Sequence, residues 1–187
     1  DEKFTIASSI GPKGDTICLA ANRGKVSTAA VVGDHHLIGV MGAESADIFW
    51  PPDGKRADVD LDEFRYASNS AVLDAIDEID LVSADFSVIH FNEPDTVSHI
   101  HGPDAEETKF RIRETDSALG ELIDRLQPSW DDTVLIVVSD HDQEYVVEYG
   151  FDLAESLNNR GLPGAVEYEG TAAVIHKGPA LAEVLQI

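Results

Sequence analysis

The chain is poor in cysteine, in basic residues and in long apolar runs. Cys18 is the one cysteine among 187 residues, which excludes an internal disulfide framework and a zinc site built from cysteines. No apolar run approaches the roughly 20 residues that a membrane-spanning helix needs. The polar start at Asp1 is unlike a signal peptide. These absences favour a soluble, cytoplasmic protein that makes no use of a membrane.

Basic residues are few, since 13 Lys and Arg stand against 36 Asp and Glu and give a formal net charge of −23. The chain contains no basic stripe, which argues against binding of a nucleic-acid duplex. The acidic residues are spread along the sequence, as expected for a solvated surface. Such a protein repels an anionic substrate unless something strongly positive lies in the binding site.

The remaining composition is that of a globular protein in which strand and helix patterns alternate. Hydrophobic residues make up 43% of the chain, enough to bury a real core at this length. Strand patterns are predicted at 4–10, 26–32, 86–91, 133–138, near 166 and at 172–175. Helix patterns are predicted at 16–23, 69–81, 104–126 and 153–159 and from 179 onward, with a capping box at 104–107.

This alternation predicts an α/β fold with a mostly parallel sheet flanked by helices. We expect residues 1–187 to form a single domain of this kind or a fragment of one. The Gly-, Pro- and Asp-rich stretch at 33–65 is expected to be an irregular loop excursion.

Carboxylate and imidazole side chains follow two of the predicted strands. Asp95 and His99 come after strand 86–91, where a compact loop would turn both side chains inward, and Asp140 and His141 directly follow strand 133–138. Ligands collect at the carboxyl ends of strands in open α/β sheets. Each pair offers one oxygen and one nitrogen, a mixture that suits Zn²⁺ or Mn²⁺ better than Ca²⁺ or Mg²⁺. We therefore expect two divalent metal ions, Zn²⁺ first and Mn²⁺ as the alternative, and a small phosphate ester as substrate.

A plainer interpretation stays open, in which each Asp–His pair only caps a turn of a metal-free binding domain. The other histidines are interpreted as packed, surface or substrate-facing side chains rather than ligands. These are His35, His36, His90, His101 and His176.

The stretch from Phe86 to Glu144 resembles the metal-binding half of the alkaline phosphatase superfamily, in its type I phosphodiesterase/nucleotide pyrophosphatase branch. That branch has Glu-Pro-Asp at a strand end, a His four residues later and Gly-Pro, then a helix with Asp and Gly-x-Leu, then Ser-Asp-His. The matching residues here are Glu93-Pro94-Asp95, His99, Gly102-Pro103, Asp116, Gly120-Glu121-Leu122 and Ser139-Asp140-His141.

The resemblance implies an alkaline phosphatase-like core and a metal-dependent hydrolase of phosphate esters, most similar to phosphodiesterases and nucleotide pyrophosphatases. It assigns Asp95 and His99 to one metal and Asp140 and His141 to the other. A Thr or Ser nucleophile is expected upstream of Asp1, and the last His ligand is expected outside the chain, so these residues alone are expected to be inactive.

The resemblance has one local departure, because Asp142-Gln143 stands where the branch commonly has Gly-Met. Phosphoglycerate mutase-like and sulfatase-like members of the same superfamily share the Asp-x-x-x-His and Asp-His elements and therefore stay open as alternatives.

Overall fold

The computed structural model describes residues 15–52, 59–145, 152–161, 165–169 and 172–176. The chain divides into two compact units, Asp1–Glu144 and Tyr145–Ile187. The predicted strand at 4–10 and the predicted helix from 179 onward lie outside the described residues.

The first unit alternates helices and strands in chain order. Its helices are α1 (Ile17–Arg23), α2 (Leu37–Met41), α3 (Asn69–Glu78), α4 (Asp95–His101) and α5 (Glu106–Leu126). Its strands are β1 (Thr28–Val32), β2 (Ile48–Trp50) and β3 (Phe86–His90). Short 3₁₀ turns lie at Ala43–Ser45, Leu81–Ser83 and Gln127–Asp132.

β1 is the central strand of a three-stranded parallel sheet with the order β2–β1–β3. All five of its residues are buried, as a strand must be when helices cover both faces of its sheet. This is the predicted fold class, an α/β protein with a parallel sheet flanked by helices, and it is confirmed.

The two faces of β1 belong to two separate cores, because successive side chains of a strand point in opposite directions. Ala29 and Val31 pack with the apolar residues of α3 and α5. Ala30 and Val32 pack on the other face with Cys18 of α1 and with α2.

Local signals for the ends of helices are confirmed at α1. The Thr16 hydroxyl accepts a hydrogen bond from the Leu19 N–H at 3.2 Å, as an N-cap residue does. Gly24 follows the last turn as its C-cap. The predicted helix at 69–81 is confirmed as α3, which Ser68 caps in the same way.

The excursion expected at 33–65 contains regular structure in its described part. α2 and a 3₁₀ turn lead into β2, which pairs with β1 from Ala29 to Val31. β2 is only three residues long and lies at the edge of the sheet, with Ile48 half exposed at 50%. A strand so short and so little buried leaves no periodic pattern in the sequence.

The predicted strand at 133–138 is wrong. These residues are all described, and they form no strand with any described part of the chain. Val134 and Val138 are 86% and 82% exposed. Apolar composition predicts burial, but a strand also needs a neighbouring backbone to bond, and β3 is bonded to β1 alone within the described sheet.

The second unit is described by one helix and one hairpin-like pair of strands. α6 (Leu153–Asn159) follows Asp152, whose carboxylate accepts a hydrogen bond from the Glu155 N–H at 3.0 Å. β4 (Ala165–Glu169) pairs antiparallel with β5 (Ala172–His176). The predicted helix at 153–159 and the two predicted strands are therefore confirmed. Across the described parts of both units, no helix combines the length and the apolar character needed to cross a bilayer.

Candidate metal centre

Asp95 and His99 lie one turn apart on α4, which begins shortly after β3 ends. Asp95 is in the first turn of α4 and His99 is in the last. Residues four apart share one face of a helix, and His99 Nε2 lies 3.4 Å from Asp95 Oδ1. The compact loop expected for this interval is wrong, because a spacing of four fits a helical turn equally well and the helix is what forms.

The start of α4 is fixed by Glu93, whose side chain is only 2% exposed. Its Oε2 accepts a hydrogen bond from the Val97 N–H at 3.3 Å, and its Oε1 lies 3.4 Å from Arg111 Nε of α5. Burial raises the pKa of Glu93, against the opposing effects of the Val97 N–H and the Arg111 charge. Glu93 therefore links α4 to α5, since one carboxylate oxygen binds the Val97 backbone N–H of α4 and the other lies beside the Arg111 guanidinium of α5.

The capping box predicted at 104–107 is wrong, because α5 begins one residue too late for Asp104 to cap it. Ala105 holds the N-cap position and makes no side-chain bond there. The Thr108 hydroxyl instead donates to the Gly102 carbonyl at 2.7 Å. This bond connects the first turn of α5 to the residue that ends α4.

Asp62 fastens the segment before α3 to the first turn of α4. Its Oδ2 accepts hydrogen bonds from Asn92 Nδ2 and from the Thr96 hydroxyl, both at 2.9 Å. Its Oδ1 accepts the backbone N–H groups of Phe64 and Tyr66, also at 2.9 Å. Sequence reasoning missed Asp62, because within the acidic run 60–63 nothing distinguishes it from its neighbours.

The second Asp–His pair comes close to the first. His141 Nε2 lies 3.5 Å from Asp140 Oδ2 and 3.9 Å from Asp95 Oδ1. Gln143 Nε2 donates a hydrogen bond to the same Asp95 oxygen at 2.7 Å. Residues more than forty positions apart in sequence therefore meet beside α4, all within the first unit. His176 belongs to β5 in the second unit.

The candidate ligands are accessible to solvent. The side chain of Asp95 is 36% exposed and that of Asp140 is 79% exposed, with the two imidazoles between these values. A small solute can therefore reach all four residues.

Negative charge surrounds the site. Burial lowers the pKa of His90, at the end of β3, although the carboxylates of Asp34, Asp140 and Asp95 act to raise it. Burial likewise raises the pKa of Tyr66, and the charges of Asp34 and Asp95 contribute to the shift. Asp34 lies two residues beyond the end of β1, so three carboxylates act electrostatically on this edge of the sheet.

Beside this site lies a cleft of about 670 Å³. Segment 60–63, α3 and α5 line it, together with Glu93. None of the four candidate ligands is among its described lining residues. Asp62 and Glu93 therefore line the cleft and also bind residues in the first turn of α4.

The donor spacing within each pair suits a divalent cation. Two ligands bound to tetrahedral Zn²⁺ at about 2.0–2.1 Å stand about 3.3 Å apart. The separation is 3.4 Å between Asp95 Oδ1 and His99 Nε2, and 3.5 Å between Asp140 Oδ2 and His141 Nε2. Among the residues that the structure describes, no group of three or more His, Cys, Asp or Glu side chains could hold a metal ion. Each pair therefore has the spacing of two zinc ligands, and no third described His, Cys, Asp or Glu side chain completes either set.

Together the fold and the site define an α/β protein with carboxylate–imidazole pairs beside the carboxyl edge of a parallel sheet. The chain belongs to the type I phosphodiesterase / nucleotide pyrophosphatase family, whose model matches residues 23–185. This is the branch that the motifs between Phe86 and Glu144 resemble, so the resemblance is confirmed.

Curated relatives include ectonucleotide pyrophosphatase/phosphodiesterase family member 7 from Mus musculus and from Rattus norvegicus. Each is 33% identical to this chain over 69 residues. The matched stretch covers 36% of this chain and 16% of the length of each relative.

Proposed function

We propose that this chain carries the metal-binding part of an enzyme that hydrolyses phosphodiesters or nucleotide pyrophosphates. In this proposal Asp95 and His99 hold one divalent cation, and Asp140 and His141 hold a second. The observation that carries it is the meeting of the two motifs, with Asp95 Oδ1 lying 3.4 Å from His99 Nε2 and 3.9 Å from His141 Nε2.

The family membership supports hydrolysis of a phosphodiester. The negative charge of the protein supports the proposal that cations are needed to bind an anionic substrate. With a net charge of −23 and the carboxylates of Asp34, Asp95 and Asp140 acting on the same edge of the sheet, the protein alone repels a phosphate group. When bound, divalent cations supply positive charge that attracts and polarises the phosphoryl oxygens.

The protein residues have separate tasks in this scheme. The carboxylates of Asp95 and Asp140 supply negative charge that binds the cations, and the neutral imidazoles of His99 and His141 supply nitrogen ligands. Asp62 and Glu93 hold the first turn of α4, and with it Asp95, in a fixed orientation. The expected substrate is a small phosphate ester, which the phosphodiesterase family supports.

The choice of metal follows from the ligand chemistry. Paired oxygen and nitrogen donors favour Zn²⁺, with Mn²⁺ as the second candidate, over the all-oxygen shells that Ca²⁺ and Mg²⁺ prefer. We therefore expect Zn²⁺ to bind more tightly than Mg²⁺ to the metal-free protein.

Calorimetric titration of the metal-free protein with Zn²⁺ tests this proposal. We expect Asp95→Ala and His141→Ala to weaken binding by about tenfold or more, since each removes a direct ligand. His101→Ala and Asp104→Ala are matched controls, because they remove an exposed imidazole and a carboxylate close to α4. Absence of Zn²⁺ and Mn²⁺ uptake by the unaltered protein would favour the metal-free binding domain.

The reaction class is tested with the full-length enzyme that carries this chain, because residues 1–187 alone are expected to be inactive. The substrates are chromogenic phosphodiesters, phosphomonoesters and sulfate esters, with Zn²⁺ present. We expect the diester to be hydrolysed fastest. A preference for the monoester or the sulfate ester would instead favour the phosphoglycerate mutase-like or the sulfatase-like alternative.

A further inference from the structure

The two helices that line the cleft, α3 and α5, lie side by side and run in the same direction. Near the start of α3, Asn69 Nδ2 donates a hydrogen bond to the Thr115 hydroxyl of α5 at 2.9 Å. Farther along both helices, Arg125 Nε donates to Asp77 Oδ1 at 2.9 Å. The volume of the cleft, about 670 Å³, is typical of sites for small molecules.

The α5 wall of the cleft is acidic at two positions and apolar between them. Glu114 and Glu121 both line the cleft, and Ala118 lies between them on the same helix. Residues seven apart return to one face after two turns, which separates the two carboxylates by about 10 Å along the helix axis. Leu73 of α3 also lines the cleft and belongs to the same apolar cluster as Ala118. The lining therefore reads acidic, apolar and acidic along α5.

Two buried oxygens near Thr115 accept no hydrogen bond from any described residue. They are Asn69 Oδ1 and Glu93 Oε1, and both residues line the cleft. The Glu93 side chain is only 2% exposed, and its Oε1 lies 3.4 Å from Arg111 Nε, which makes an ion pair but a long contact. Most buried acceptors in proteins have a donor, so a ligand group rich in N–H donors suits this end of the cleft.

The charge of the lining favours a cation. Arg111 is the one basic residue among the described lining residues. Its guanidinium is shared, with nitrogens 2.7 Å from a Glu114 oxygen, 3.4 Å from a Glu93 oxygen and 3.6 Å from a Glu63 oxygen. Glu121, farther along α5, has a side chain that is 62% exposed. One guanidinium does not neutralise these carboxylates, so the cleft attracts cations and repels anions.

We propose that the cleft binds a linear aliphatic diamine, with one ammonium group near Asn69 and Glu114 and the other near Glu121. Each ammonium group brings three N–H donors and a positive charge to the acidic positions. The methylene chain between them covers Leu73 and Ala118, where burial of apolar surface adds to the affinity. None of the four candidate metal ligands is among the described lining residues, so this inference does not depend on the proposed metal centre.

Calorimetric titration of the full chain with α,ω-diaminoheptane tests the proposal, and heptylamine is the matched probe with the same chain and one ammonium group. Physiological salt screens the general attraction of amines to an acidic surface. We expect one diamine to bind per chain, about five- to tenfold more tightly than heptylamine, because the second ammonium group makes a further charged hydrogen bond. Equal affinities for the two amines, or absence of binding, would overturn the proposal.

Glu121→Gln locates the second ammonium group. We expect this variant to bind diaminoheptane only as tightly as heptylamine, because the carboxylate at that end of the apolar stretch is gone. Glu107→Gln makes the same change at an exposed position of α5 that is not among the described lining residues, and it should leave both affinities unchanged. Equal losses in the two variants would show that the diamine responds only to the net charge, and would overturn the proposal.

The methyl resonances of Leu73 and Ala118 provide a second readout that needs no variant. We expect both to shift as diaminoheptane is added, because its methylene chain packs against them. Val40 of α2 is 43% exposed and is not among the described lining residues, so its methyl resonances should stay in place. Shifts at Val40 without shifts at Leu73 and Ala118 would overturn the proposal.

Discussion

The Thr96 hydroxyl donates a 2.9 Å hydrogen bond to the Asp62 carboxylate, which lies thirty-four residues earlier in the chain. Through this bond the segment before α3 holds the first turn of α4, next to Asp95. The orientation of the proposed metal ligands therefore depends on a carboxylate that need not contact the metal.

We predict that Asp62→Asn lowers the free energy of unfolding by about 2–3 kcal/mol, because its carboxylate accepts hydrogen bonds from four donors and an amide group turns a donor toward some of them. Zn²⁺ affinity should fall about tenfold, as for other residues that orient metal ligands. Urea unfolding and calorimetry measure the two effects. Asp60→Asn is the control, since Asp60 is exposed in the same segment, and equal behaviour of the two variants would contradict the prediction.

Two glycine substitutions should change stability in opposite directions. Gly42 has a φ of +69°, and a Cβ added there would lie 2.3 Å from Cγ2 of Thr16. We expect Gly42→Ala to cost about 2–4 kcal/mol through backbone strain and overlap with the N-cap of α1.

The matched change is Gly120→Ala in α5, where an added Cβ meets nothing within 4 Å. We expect it to stabilise the protein by about 0.5–1 kcal/mol, since alanine loses less backbone entropy than glycine in a helix. Thermal and urea unfolding of the pair measures the difference. A stable Gly42→Ala variant would contradict the close packing of Thr16 against Gly42.

Salt should stabilise the folded protein. The net charge of −23 makes the compact state repel itself, and the screening length falls from about 10 Å at 0.1 M salt to about 3 Å at 1 M. We expect the midpoint of thermal unfolding to rise by several degrees over this range. Equal shifts with NaCl and KCl would identify screening, and a midpoint that falls with salt would contradict the prediction.

The ion pair between α3 and α5 should make a small contribution to stability that depends on pH. Arg125 Nε donates to Asp77 Oδ1 at 2.9 Å and a second guanidinium nitrogen donates to Oδ2 at 3.1 Å. The hydrogen bond from Arg125 lowers the pKa of Asp77 below its ordinary value of 3.8. The stabilisation is therefore complete above the unfolded pKa and is lost as the pH falls through the folded pKa.

Asp77→Asn should thus destabilise the protein above pH 5 by less than about 1 kcal/mol, because the Asp77 side chain is 61% exposed. Urea unfolding at a series of pH values checks this, with Asp74→Asn on the same helix as the control. The loss should shrink toward zero in acid, and a loss that is constant with pH would show that charge is not its cause.

The parts of the fold that could be predicted from sequence are those with local signals. β1 is an uninterrupted buried run, and Thr16 and Ser68 cap helices that begin where their patterns begin. β2 has three residues at a sheet edge and leaves no such pattern. Asp104 satisfies a capping pattern, but the start of α5 is set by its contacts with α4.

The candidate site also has a part that could be predicted from sequence and a part that could not. The types and spacing of the four candidate ligands are visible in the sequence, because metal chemistry limits which residues serve and α4 sets the interval of four. The hydrogen bonds of Asp62 and Gln143 to α4 could not be predicted, since they join distant segments that meet only in the folded chain.

Cys18, buried to 2% exposure in the core between α1 and β1, has a practical consequence for experiments. Since the chain has no other thiol and burial raises the pKa of this one, native Cys18 should resist alkylating reagents while the protein is folded. A cysteine placed on the solvent face of α5 could then carry a fluorophore or a spin label, with no need to delete the native residue first.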